Sequence, residues 1–134
     1  MSTTPNYAST PDAGAALLTT ANTGTRAAPV GDSVIFTPGA SGGQVERITV
    51  EPVATTVAGT VQVFRNIGAS KYLYAEIQLQ IQTASTGMAI TPQTLEAVNY
   101  PNLFPIILPA GATLSAALSV AQTGVVVQAE GGSY

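Results

Sequence analysis

Acid–base catalysis, nucleophilic attack and metal binding draw on a short list of side chains, and this chain holds few of them. Among its 134 residues are four Lys and Arg, seven Asp and Glu, and neither His nor Cys. The nearest approach to a charged constellation is Glu46, Arg47 and Glu51. Side chains alternate between the two faces of a strand, so Arg47 and Glu51 are expected on one face and Glu46 on the other. Carboxylates that share acid and base roles must converge on one bond, and this spacing separates them. A solvated strand face or a cross-strand ion pair, contributing about 0–1 kcal/mol when exposed, accounts for the three residues.

Other catalytic patterns are missing. Ser41-Gly42-Gly43-Gln44 reads as a loop entering a strand, and the chain has no Gly-rich phosphate loop, no Gly-x-Ser-x-Gly elbow and no Asp-rich calcium loop. Without Cys there is neither a disulfide nor a thiolate-held zinc or iron–sulfur cluster, and scattered carboxylates suit only hard cations. The sequence therefore assigns no catalytic residue, no cofactor and no metal site, and the chain is expected not to be an enzyme. Tyrosines are the other side chains that stand out. Tyr72 and Tyr74 fall on the predicted outward face of the best strand, Tyr134 ends the chain and Tyr7 lies in a polar opening segment. Tyrosine on a sheet often only packs on cross-strand neighbours, but it is also enriched at interfaces, so these four are the candidate partner-binding residues.

The elements that must position these side chains are strands. Over residues 71–82, Leu73, Ala75, Ile77, Leu79 and Ile81 alternate with Tyr72, Tyr74, Glu76, Gln78, Gln80 and Gln82. A period of two predicts a long, half-buried strand. Similar runs predict strands over 15–20, 33–37, 44–51, 60–65, 72–82, 104–108, 113–120 and 124–130, with Val125 and Val127 facing one way and Val126 the other. Gly- and Pro-bearing turns separate them, as at Pro38-Gly39, Asn66-Ile67-Gly68 and Pro109-Ala110-Gly111. Residues 91–96 allow either one helical turn, with Thr91 as N-cap and Pro92 at the first position, or an irregular strand.

Closely spaced strands with no alternating helices predict an all-β fold, an antiparallel β-sandwich of about eight strands with jelly-roll-like connections. An immunoglobulin-like sandwich is the competing arrangement, although its Cys pair and Trp are absent. Residues 13–134 are expected to form one such domain. Residues 1–12, rich in Thr, Ser, Pro and Asn, are expected to form an extended N-terminal arm, either a frayed terminus or a segment that orders on a neighbouring subunit through Tyr7.

Charged residues make up 8% of the chain, against about 25% in an ordinary soluble domain. The net charge is −3, and Arg26, Arg47, Arg65 and Lys71 are dispersed, which argues against a nucleic-acid partner. No run approaches the roughly 20 apolar residues of a membrane helix, and no targeting signal is apparent. The expectation is a protein made in the cytoplasm and left there or released within a particle. A surface of Thr, Ser, Gln and Ala sheds water more readily than one of Lys and Glu, which favours symmetric self-assembly and broad protein contacts.

Three segments carry a resemblance. Thr3-Thr4-Pro5-Asn6-Tyr7-Ala8-Ser9-Thr10-Pro11, Leu108-Pro109-Ala110-Gly111-Ala112-Thr113-Leu114 and Ala129-Glu130-Gly131-Gly132-Ser133-Tyr134 resemble small structural proteins of tailed bacteriophages and prophages, of the capsid decoration, or cement, type. The resemblance implies a β-sandwich bound to the outer surface of the virion head, clamping adjacent major capsid protein subunits, and a homo-oligomer such as a trimer. The residue pattern equally fits a carbohydrate- or receptor-binding β-sandwich of a phage fibre or spike, in which Tyr72, Tyr74 and Tyr100 would stack on sugar rings.

Overall fold

Short alternating runs cannot cover their apolar faces alone and must bury them against one another. A computed structural model describes residues 10–134 apart from residues 86, 88 and 97. The described strands are β1 (Thr10–Leu18), β2 (Ser33–Phe36), β3 (Gly43–Pro52), β4 (Thr60–Ile67), β5 (Ser70–Gln78), β6 (Gln93–Glu96), β7 (Ile106–Leu108), β8 (Thr113–Leu118) and β9 (Val125–Ser133). They form two antiparallel sheets, one ordered β1-β9-β3-β6 with β7 also on β3, the other β2-β8-β4-β5. The fold is an all-β sandwich. Its core is aliphatic, built from residues such as Val45, Ile48 and Val50 of the first sheet and Val61, Val63, Leu114 and Leu118 of the second, with Phe36.

Most strand positions follow the alternation, and the departures have identifiable causes. In β3 the buried Val45 and Ile48 are three residues apart because a bulge against β9 falls between Val45 and Arg47. Glu46 and Arg47 are consequently both exposed, together with Glu51. This corrects the expectation that Glu46 and Arg47 point to opposite faces.

A second bulge lies in β5. Val63 faces Ala75 and Phe64 faces Leu73, which leaves Tyr74 as the extra residue. Tyr74 packs against the core, whereas Leu73 is partly exposed. Beyond Gln78 the strand has run past the start of its partner β4, and Ile81, expected inside, is 70% exposed. Between residues 91 and 96 the strand alternative holds. Gln93–Glu96 pair with Arg47–Val50, and Leu95 is buried. In β9 Val125 and Val127 are buried and Val126 is half-buried.

The first strand begins earlier than its apolar pattern. Thr10, Pro11 and Asp12, expected in the arm, pair with Ser133, Gly132 and Gly131. Residues 1–9, including Tyr7, lie outside the described residues. At Gly14 a Cβ would stand 2.0 Å from the Ile35 carbonyl oxygen, so only glycine lets β1 cross so close to β2, where the two sheets meet.

Uncharged amides hold the loops. Gln122 accepts from the Val57 N–H and donates to the Val57 carbonyl, both at 3.0 Å. Gln82 does the same for Thr91, at 2.8 and 2.9 Å, and Gln93 bridges the Gln78 carbonyl and the Gln80 N–H at the edge of β5. Each side-chain amide takes the place of a strand partner and satisfies backbone groups that no strand reaches.

Candidate functional site

The outer face of the second sheet carries the most developed surface feature. Val34, Ser115, Phe64 and Leu73 are direct cross-strand partners in series, so their side chains share one face. Val34 and Leu73 are exposed, yet Phe64 and Ser115 are completely buried. Phe64 also stands apart from the core cluster between the sheets. The connection between β1 and β2, residues 19–32, reaches this sheet through Asn22, Arg26 and Asp32.

Polar side chains fasten that connection. The Asn22 backbone N–H donates to the Leu118 carbonyl at 2.7 Å, and its side-chain amide donates to the Gln62 side-chain oxygen at 3.1 Å. The Asn22 side-chain oxygen accepts from Gly24 and Val30, which shapes the loop. Arg26 grips Glu76 with two bonds of 2.9 and 2.8 Å, and Lys71 reaches Asp32 at 2.6 Å. The Arg26 hydrogen bond, with that from Thr60, holds the Glu76 carboxyl down to about 2 against the opposing effect of burial. Burial works against the Asp32 charge, but hydrogen bonds from Lys71 and Ser115 and the charge of Lys71 outweigh it and leave its pKa below the ordinary value. In both pairs the cation is the more exposed partner, most clearly for Lys71 at 41% over Asp32 at 5%.

Between this connection and the β4–β5 hairpin runs an open groove of about 810 Å³. Ala27, Ala28 and Pro29 form one wall, and Tyr72 and Leu73 contribute to the other, with Arg26 and Lys71 at its rim. Two of the chain's four cations therefore border one groove, and no carboxylate lines it.

The first sheet presents the opposite sign. Arg47 pairs across the sheet with Glu96 on β6 and Glu130 on β9 and makes an ion pair with Glu130. The Glu130 hydrogen bond and charge raise the Arg47 pKa. Glu46 and Glu96 also border a hollow of about 290 Å³ with Val98, Phe104 and Pro105. Val98, on the turn after β6, is 90% exposed.

The tyrosines do not gather. Tyr72 is 56% exposed at the groove, whereas Tyr74 turns inward, donates its hydroxyl to the Leu103 carbonyl and lies under the Arg65 guanidinium at 5.4 Å. This corrects the expected shared outward face. Tyr100 borders a separate depression beside Ala75–Gln78, and Tyr134 is partly buried, its N–H donating to the Gly42 carbonyl. Among the described residues no three carboxylates come together in a way that would hold a metal ion, and no helix is long and apolar enough to cross a membrane. Of the groove only Tyr72 carried a sequence signal, because the rim residues Arg26 and Lys71 meet their partners across 50 and 39 residues. Comparison of the chain with protein-family models, curated proteins and solved structures finds no match.

Proposed function

We propose that this protein is a capsid decoration protein, bound to the outside of a tailed-phage head and stabilising contacts between major capsid protein subunits. The observation that carries the reading is the state of the surface charge. Three of the four cations are each matched to a carboxylate of the same chain, so little free positive charge must be stripped of water when the surface is covered. Exposed Val30, Val34, Val53, Val57, Ile107 and Val120 are spread over the molecule, which suits a subunit contacted on several sides. Such contacts need at least about 1,000 Å² of buried surface to be specific.

The strand orders β1-β9-β3-β6 and β2-β8-β4-β5 support a jelly-roll reading of the sandwich, because all connections between the described strands except β4–β5 and β6–β7 cross between the sheets and β1 pairs with β9 in the manner of nested Greek keys. Jelly rolls serve in capsids and in lectins alike, so the fold by itself does not choose between them. The dispersal of Tyr72, Tyr74 and Tyr100 argues against the sugar-binding alternative, which needs rings presented together.

Co-sedimentation with heads lacking the protein tests the proposal. Saturable binding at a fixed ratio to the major capsid protein is expected, with heads that then resist heat or dilution. Failure to bind at any protein excess would refute it. Removal of residues 1–9 is expected to weaken occupancy without changing the thermal transition of the sandwich.

A further inference from the structure

Two surfaces on opposite sheets of this one molecule complement each other. The groove on the second sheet has an apolar lining of Ala27, Ala28, Pro29 and Leu73, and Arg26 and Lys71 present their charged ends at its rim. On the first sheet Val98, 90% exposed, stands beside Glu46 and Glu96, neither of which makes an ion pair among the described residues, although Glu96 faces Arg47 across the sheet. We propose that the groove receives the Val98 turn of a second copy of this chain, with Val98 against the apolar wall and Glu96 and Glu46 facing Arg26 and Lys71. This deepens the decoration reading by naming how copies would join one another, and it rests on that reading only for its biological setting.

The occupant follows from chemistry on both sides. An exposed valine flanked by carboxylates needs a hollow that is apolar within and offers accessible cations at its edge. This groove is apolar within and bordered by the outward sides of Arg26 and Lys71, each in an ion pair yet the more exposed partner of it. The contact is heterologous, since the donor turn and the acceptor groove are different surfaces. Each molecule keeps one of each until a ring closes. The apolar insertion supplies the buried area, and the charges set register and partner choice. The Arg26–Glu76 and Lys71–Asp32 pairs keep the rim in place while leaving the cations accessible.

The test is the solution mass of the full chain, by sedimentation velocity and light scattering over a range of concentrations, for the wild type, Val98→Lys, Ala28→Glu and an equimolar mixture of the two variants. Both positions are exposed, so neither change disturbs the core. The wild type is expected to associate, and each variant to run as a monomer, because each sets like charges against each other at the contact. The mixture is expected to associate again, since the new lysine then meets the new glutamate and the other contact is native. A monomeric wild type, variants that associate as the wild type does, or a mixture that stays monomeric would each overturn the inference. The decoration reading is scored separately, by adding the same samples to heads. A monomeric wild type that still saturates heads removes the self-contact and leaves decoration standing, and an associating protein that ignores heads does the reverse.

Discussion

Gln122→Ala is the sharpest test of how this sandwich holds its loops without charge. The Gln122 side chain is buried, and both ends of its amide are used, accepting from the Val57 N–H and donating to the Val57 carbonyl at 3.0 Å each. Two neutral hydrogen bonds contribute about 0.5–1.5 kcal/mol each, and the lost methylene burial adds about 0.8 kcal/mol. Water can reach the freed Val57 groups, because the Val57 side chain is exposed, which removes the further penalty of stranded polar atoms. The expected loss is about 2–4 kcal/mol, read from urea unfolding with an unchanged slope. Gln122→Glu keeps the shape but sets a carboxylate oxygen against the Val57 carbonyl. Burial then favours the protonated form of the new carboxyl in the folded state, so this variant is expected to be least stable at neutral pH and to recover as the pH falls below its folded pKa. Gln122→Ala has no such dependence. A loss under about 0.5 kcal/mol for Gln122→Ala, or equal pH profiles for the two variants, would refute the view that the amide acts as a surrogate strand.

Further outcomes follow from single contacts. Glu76 is held at about 2 from an ordinary 4.5, so its ion pair adds stability that is complete above pH 4.5 and is lost as the pH falls towards about 2; Glu76→Gln is expected to flatten the acid limb of stability measured against pH. Gly14→Ala places a Cβ 2.0 Å from the Ile35 carbonyl oxygen and is expected to cost about 3 kcal/mol or more in denaturant melts, whereas Gly87→Ala, with open space around it, is expected to be nearly silent. Phe64→Ala is expected to cost about 3–5 kcal/mol and to raise amide exchange across residues 19–32, which are fastened to the same sheet. Protection unchanged in residues 19–32 would show that the polar clasps alone hold the connection.

The alternation of apolar residues was enough to establish an all-β sandwich and to locate eight of the described strands, because burial of one sheet face leaves a period of two wherever a strand is regular. β6 remained open between helix and strand, since four residues carry too little pattern, and its pairing with Arg47–Val50 is a long-range fact. The same pattern misplaced side chains wherever a bulge intervened. One extra residue inverts the facing of what precedes it, so Tyr74 turned inward and Glu46 joined Arg47 outside. The Tyr72 position at an exposed surface was legible, but the groove beside it was not. Its walls come from a connection whose Arg26 and Asp32 find Glu76 and Lys71 on a distant strand, and only the folded chain brings those charges together. Composition alone determined that charge would be scarce. Tertiary structure decided that most of it is spent on internal pairs, and that the cations left showing and the unpaired carboxylates lie on opposite sheets, because strand order and loop path set which distant residues become neighbours.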